Sequence, residues 1–158
     1  NIHRTVLNCV TLLKVSERNF NESPANRTKM IEMILIVLFS MDEQSSYKIK
    51  PDLKDCEHVL GRFCEQLIKS NNFSFNRECF LEDLNLFCKD KLLKLDVSVV
   101  FDVLFANNII MELNGEFVFR ASYWIYYFAA RRMYSNKSFR EYILEEDLRA
   151  AVSFTNRQ

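Results

Sequence analysis

The chain has 158 residues, long enough for one medium domain or two small ones with a buried core. It is 49% hydrophobic with two Gly and two Pro, which excludes a disordered chain and favours helices with a little sheet. The formal net charge is zero, so no global field draws it to nucleic acid or to an acidic membrane.

The first predicted element is a short apolar helix, TVLNCVTLLKV, Thr5 to Val15. A polar loop, SERNFNESPAN, follows it. Ser23 before Pro24 suits an N-cap followed by a proline at N1, and Asn26 is a second candidate cap. RTKMIEMILIVLFSM is apolar on most sides and predicts a helix buried on more than one face. Its apolar run, Met30 to Met41, contains Glu32 and falls short of the roughly 18 residues of a membrane span. DEQSSYKIKPD reads as a linker.

Beyond that linker the pattern changes. Lys54 to Ser70 carries Val59, Leu60, Phe63, Cys64, Leu67 and Ile68 as the stripe of a core-facing helix. Phe73-Ser74-Phe75 alternates briefly, as one short strand would. Asn76 is placed to cap a helix from Arg77 to about Lys91, with Phe80, Leu81, Leu84, Phe87 and Cys88 facing inward. Asp96 is placed to cap a third helix, Val97 to Ala106. IIMELNGEFVF then alternates around Asn114-Gly115, the strongest two-residue hairpin signal, because both turn positions need positive φ. The expected fold is mainly α with a small β-hairpin: a winged-helix domain, the hairpin its wing, flanked by helical segments.

A DNA-reading winged helix inserts its third helix into the major groove and needs basic or amide side chains there. DVSVVFDVLFANN has no basic residue, and Asp96 and Asp102 would repel phosphates. The apolar third helix fits packing against protein better.

SYWIYYFAARRMY predicts a helix beginning near Ser122, with Ser122 as its cap. Trp124, Ile125, Phe128 and Ala129 form one stripe, Tyr123, Tyr127 and Ala130 a neighbouring one, and Tyr126 the edge. The plain expectation is a wide aromatic core face, with Ala129 and Ala130 permitting close helix approach. Truncating either Trp124 or Tyr126 is expected to loosen the fold by about 3–5 kcal/mol. A base-stacking platform would need basic charge before Arg131 and Arg132.

FVFRASYWIYYFAARRM, Phe117 to Met133, resembles the end of the winged-helix domain in NACHT-type signal-transduction ATPases of the STAND class. There a strand ending Phe-Arg runs into a helix rich in Tyr-Tyr-Phe-x-Ala. Here Phe119-Arg120 precede Ala121, and Tyr123, Ile125, Tyr126, Tyr127, Phe128, Ala129, Ala130 and Arg131 follow in register. Upstream, SPANRTKMIEMIL, Ser23 to Leu35, resembles the segment that closes the helical lid of the same ATPase module, and TVLNCVTLL resembles the helix before it. The resemblance implies three regions: residues 1–50 as the helical end of the lid, 51–121 as the winged-helix domain, and 122–158 as a helical extension toward a sensor.

It also implies a molecular switch acting in signalling or antiphage defence. A P-loop ATPase core holds ADP beneath lid and winged helix, and a trigger releases the winged helix for nucleotide exchange and oligomerisation. The implied partners are the ATPase core and sensor of the same protein, with a homo-oligomer on activation and neither nucleic acid nor membrane. ATP or ADP and Mg belong to the parent protein, because GxxxxGK[ST] does not occur in these residues. The family's histidine that touches the β-phosphate falls at Ala121, which offers no donor, so the neighbouring Arg120 is the candidate for nucleotide sensing. An acid on the sheet is the competing partner for Arg120. The alternatives are a DNA-binding winged-helix transcription regulator, or a protein-interaction winged helix without an ATPase.

No catalytic constellation is evident. The chain has five cysteines, Cys9, Cys56, Cys64, Cys79 and Cys88, with no CxxC, and its two histidines, His3 and His58, lie far apart. No metal site is expected, and free, mostly buried thiols fit a cytoplasmic protein. Glu145 to Asp147 reads as a solvated charge run, and no serine sits in a GxSxG elbow. The chain does not begin with Met and reads as a fragment of a longer protein, with no enzyme activity of its own expected.

Overall fold

The computed structural model describes residues 27–40 and 51–155, with side chains described as far as 147. The helix expected at Thr5–Val15, the caps at Ser23 and Asn26, and Cys9 and His3 lie outside the described residues.

Local hydrogen bonds set most of the element boundaries. Helix α1 spans Arg27–Ser40 and α2 spans Leu53–Ser70. Asp52 caps α2 by accepting from the backbone N–H groups of Lys54 (2.8 Å) and Asp55 (3.2 Å). Such a cap contributes about 1 kcal/mol by satisfying donors the helix leaves open. Asn71, in the left-handed region at φ 50, closes the other end of α2. A two-residue strand, β1 (Ser74–Phe75), leads into α3 (Arg77–Asp90), whose cap Asn76 accepts from the Cys79 N–H at 2.7 Å. Asp96 caps α4 (Val97–Ala106) through the N–H groups of Ser98 and Val99.

Strands β2 (Ile110–Leu113) and β3 (Glu116–Phe119) form the expected hairpin. Its turn residues Asn114 and Gly115 have φ of 54° and 83°, as the Asn-Gly signal requires. β3 pairs antiparallel with both neighbours, giving the order β1-β3-β2 with Ser74 opposite Val118 and Met111 opposite Val118. The chain ends in α5 (Ser122–Ser135) and α6 (Lys137–Thr155). The described residues are thus mostly helical, with one small three-stranded antiparallel sheet.

The core is built from phenylalanines contributed by every layer. Phe63 of α2 meets Phe75 of β1 and Phe80 of α3 edge-on, each with centroids 4.8 Å apart. Phe80 meets Phe101 of α4 at 5.3 Å, and Phe101 meets Phe117 of β3 at 5.0 Å. Phe119 and Phe128 continue the chain of rings into α5. Edge-to-face geometry adds about 0.5–1.5 kcal/mol per pair beyond burial. Helix α1 buries Met30, Ile31, Met33, Ile34, Leu35, Leu38 and Phe39, so it is covered on more than one face, as its composition requires.

Three sequence expectations are corrected. Ser122 is the first helical residue of α5 and not its cap; the cap position is Ala121, which makes no side-chain hydrogen bond. Tyr126, expected at the edge of the aromatic face, is 67% exposed, so the large stability loss expected on its truncation does not hold. Ala130 is exposed, and the residue that permits close helix approach is Gly61 on the opposing helix α2.

Candidate functional site: the seam between helices α2 and α5

Glu57, Gly61 and Glu65 stand four residues apart on α2 and therefore share one face. That face lies against α5. A Cβ built on Gly61 would sit 3.1 Å from both the Phe128 carbonyl oxygen and the Arg132 Cβ, so glycine sets the helix spacing. The two carboxylates that flank it are carried below the surface, 5% and 6% exposed. Buried carboxylates need partners, because an unpaired charge in the interior is expensive.

Helix α5 supplies most of them, from its middle and its last turn, and Lys69 of α2 supplies one more. The Tyr127 hydroxyl donates to Glu57 Oε1. Arg131 donates from Nε (3.1 Å) and Nη2 (2.7 Å) to Glu57 Oε2. Arg132 Nε donates to Glu65 Oε2 at 2.7 Å, and Lys69 Nζ donates to Glu65 Oε1, also at 2.7 Å. Burial tends to raise the Glu65 carboxyl, but the hydrogen bonds and charges of Lys69 and Arg132 prevail and hold it below the usual carboxylate range. Burial, then the hydrogen bond to Glu57, pushes the Tyr127 phenol up, so it remains a protonated donor. The hydrogen bond to Glu57 raises Arg131 further still.

The seam also reaches its neighbours. The Arg132 guanidinium lies over the Phe87 ring of α3 at 6.0 Å, and His58 packs its ring 5.4 Å from the same phenylalanine. Lys69 extends over Phe139 and Tyr142 of α6, 5.8 and 5.4 Å from their centroids. Four helices, α2, α3, α5 and α6, are therefore joined through two buried carboxylates. This arrangement holds helices in place. Both carboxylates are saturated with donors, and burial pushes the thiols of Cys56, Cys64 and Cys88 up, which keeps them protonated and unreactive. Among the described residues no three His, Cys, Asp or Glu side chains converge as metal ligands would.

The residues singled out from sequence lie at the other end of α5. The Arg120 N–H donates to the Ile109 carbonyl at 2.9 Å, and its exposed guanidinium donates to Asn108 Oδ1 at 3.4 Å; an amide stands where an acid on the sheet was expected. Ala121 is half-buried and extended (φ −141°), and its carbonyl accepts from the Trp124 N–H at 3.2 Å. Ten residues of helix, about 15 Å, separate Ala121 from Arg131. The structure does not bring the two sets together. Glu57 and Glu65 escaped the sequence reading, although two acids at i−4 and i+4 of a mid-helix glycine are a legible sign of a close, charged helix contact. Among the described residues no helix is long and apolar enough to cross a membrane.

No curated protein and no solved structure matches the chain. Residues 73–129 match the family described as Novel STAND NTPase 4, a stretch from just before β1 to the middle of α5 and about a third of the chain. That stretch is similar to a STAND-type NTPase region, and most of the α2–α5 seam lies outside it.

Proposed function

We propose that the chain is a regulatory, non-catalytic piece of a STAND nucleotide-switch ATPase of the NACHT kind, acting in signalling or antiphage defence. In this reading residues 51–121 are its winged-helix domain, residues 1–50 the end of the ATPase lid, and residues 122–158 the extension toward a sensor. The family match over residues 73–129 is the observation that carries it. The element order α2-β1-α3-α4-β2-β3 supports the winged-helix assignment. Nucleotide, ATP or ADP with Mg, binds the parent's P-loop core, and the winged helix packs on that core in one nucleotide state and swings away in the other, a rigid-body switch. Arg120 and Ala121, at the sheet end of α5, occupy the position facing the nucleotide. The partners are the ATPase core and sensor of the same cytoplasmic protein, with homo-oligomerisation on activation.

A DNA-reading role is disfavoured by α4. Its Val97, Val99, Val100, Phe101, Val103 and Leu104 are buried, and its Asp102 lies 3.6 Å from Arg77. The reading frame upstream of Asn1 tests the proposal. A GxxxxGK[ST] loop between a strand and a helix, a domain's length earlier, is the expected result. A start codon a few residues upstream with no P-loop overturns it, and a salt-dependent gel shift with duplex DNA would then favour the regulator.

A further inference from the structure

Beside the α2–α5 seam lies an open pocket of about 250 Å³, lined by Lys54, Glu57, His58, Arg131, Arg132, Tyr134 and Ser135. We propose that it is an anion site for a phosphate group. Its charge is the first argument. Lys54, Arg131 and Arg132 face it with a single carboxylate, Glu57, leaving two positive charges in excess. Nearby, Glu65 takes Lys69 as well as Arg132, Lys91 is paired with Asp90, and Asp55 offsets one of the excess charges at His58. A chain with zero net charge has no bulk reason to concentrate cations there.

Unspent donors are the second argument. Glu57 takes Arg131 Nε and Nη2, and Glu65 takes only Arg132 Nε. The Arg131 side chain is 48% exposed, and the Arg132 Nη groups, with no hydrogen bond of their own among the described residues, are not among the buried unpartnered atoms, so both arginines keep donors at the surface, Arg132 the fewer of the two. The carboxylates behind them fix the two forks in place, which lowers the ordering cost of binding a phosphate. The Ser135 hydroxyl bonds back to the carbonyls of Arg131 and Arg132, closing the floor at the end of α5.

His58 reports on the site. Burial first, then the charges of Arg132 and Lys91, holds its imidazole below the ordinary value, against the opposing pull of Asp55. A phosphate bound between His58 and the arginines supplies the missing negative charge and raises it. The site lies at the opposite end of α5 from Arg120 and Ala121, so it stands or falls independently of the switch reading.

The test is an NMR titration of the imidazole resonances of the 158-residue chain, in which only His3 and His58 contribute and His58→Gln assigns them. Inorganic phosphate, pyrophosphate and AMP are added in turn at constant ionic strength, with chloride as the control. The expected result is a saturable His58 shift with a measurable rise in its titration midpoint. The exposed-residue variant Lys54→Glu, checked for unchanged helicity, weakens binding at least tenfold. Saturation by phosphate alone assigns the free anion, and tighter saturation by AMP assigns a nucleotide phosphate. A His58 shift no larger than with chloride, or equal binding in Lys54→Glu, overturns the proposal.

Discussion

The two ends of helix α5 are held in opposite ways. At its start, Ala121 caps nothing with its side chain and Arg120 reaches one amide oxygen at the surface. Toward its end, Tyr127, Arg131 and Arg132 each donate to one of two carboxylates that are almost fully buried. The start is anchored mainly by apolar burial, through Trp124, Ile125 and Phe128. Apolar packing is non-directional and tolerates sliding, whereas a buried ion pair requires its geometry. The difference assigns the two ends different mechanical roles. The sheet end of α5 is held by burial of large side chains, and the end nearest α6 fixes the orientation of α5 on α2 through directional pairs.

Four substitutions, with Tyr126→Ala as a control beside the first, sharpen that contrast, the four running from the largest expected effect to the smallest. At the apolar end, Trp124→Ala removes a large side chain that is 5% exposed and costs about 3–5 kcal/mol in urea unfolding. Its neighbour Tyr126, 67% exposed, changes stability by less than about 0.5 kcal/mol on truncation to Ala. Equal losses at the two positions would contradict the observed rotation of α5 about its axis.

At the charged end, Glu65→Gln strips Arg132 and Lys69 of their shared partner and costs about 3 kcal/mol at pH 7. This loss depends on pH in a defined direction. Because the folded Glu65 carboxyl lies below its ordinary value, the wild-type advantage is complete above about pH 4.3. It disappears as pH falls through the folded value, where the carboxylate protonates. Denaturation curves of both proteins at pH 7, 5 and 3 should converge at the acid end. A gap that persists undiminished at low pH would point to lost packing instead of lost charge.

Tyr127→Phe is a smaller change in the same seam. It leaves Arg131 on Glu57 but deprives a buried carboxylate oxygen of its donor, for about 1–2 kcal/mol. The smallest of the four is a gain. Ala121→Ser places a hydroxyl at the empty cap of α5 and raises stability by about 0.5–1 kcal/mol, read as a higher urea midpoint with an unchanged slope. No gain would mean that this end is held in a backbone geometry the hydroxyl cannot reach.

Much of the fold was legible in the sequence, and little of the seam was. Asn76, Asp96 and Asn114-Gly115 stand where their patterns require, because each acts on backbone within three residues of itself. The limits of α4, Val97–Ala106, follow from the same local chemistry. The aromatic run of α5 was legible as a helix, but not its rotation. Tyr126 and Tyr127 are adjacent and identical in chemistry, yet one faces solvent and the other a buried glutamate. Adjacent helical positions differ by about 100°, and only the partner surface decides which one turns inward.

What the sequence by itself determined is therefore local: the caps at Asn76 and Asp96, the hairpin turn, the order of the described elements from α2 to α5, and the apolar stripes that must be buried. What the tertiary structure alone decided is the pairing of Glu57 with Tyr127 and Arg131, and of Glu65 with Arg132, across 67 to 74 residues of chain. The physical reason is range. A capping hydrogen bond is settled by the next turn of backbone, whereas an ion pair between helices exists only once packing has set their spacing and rotation. Here Gly61 admits α5 close enough for the arginines to reach, and the phenylalanine core holds it at that angle.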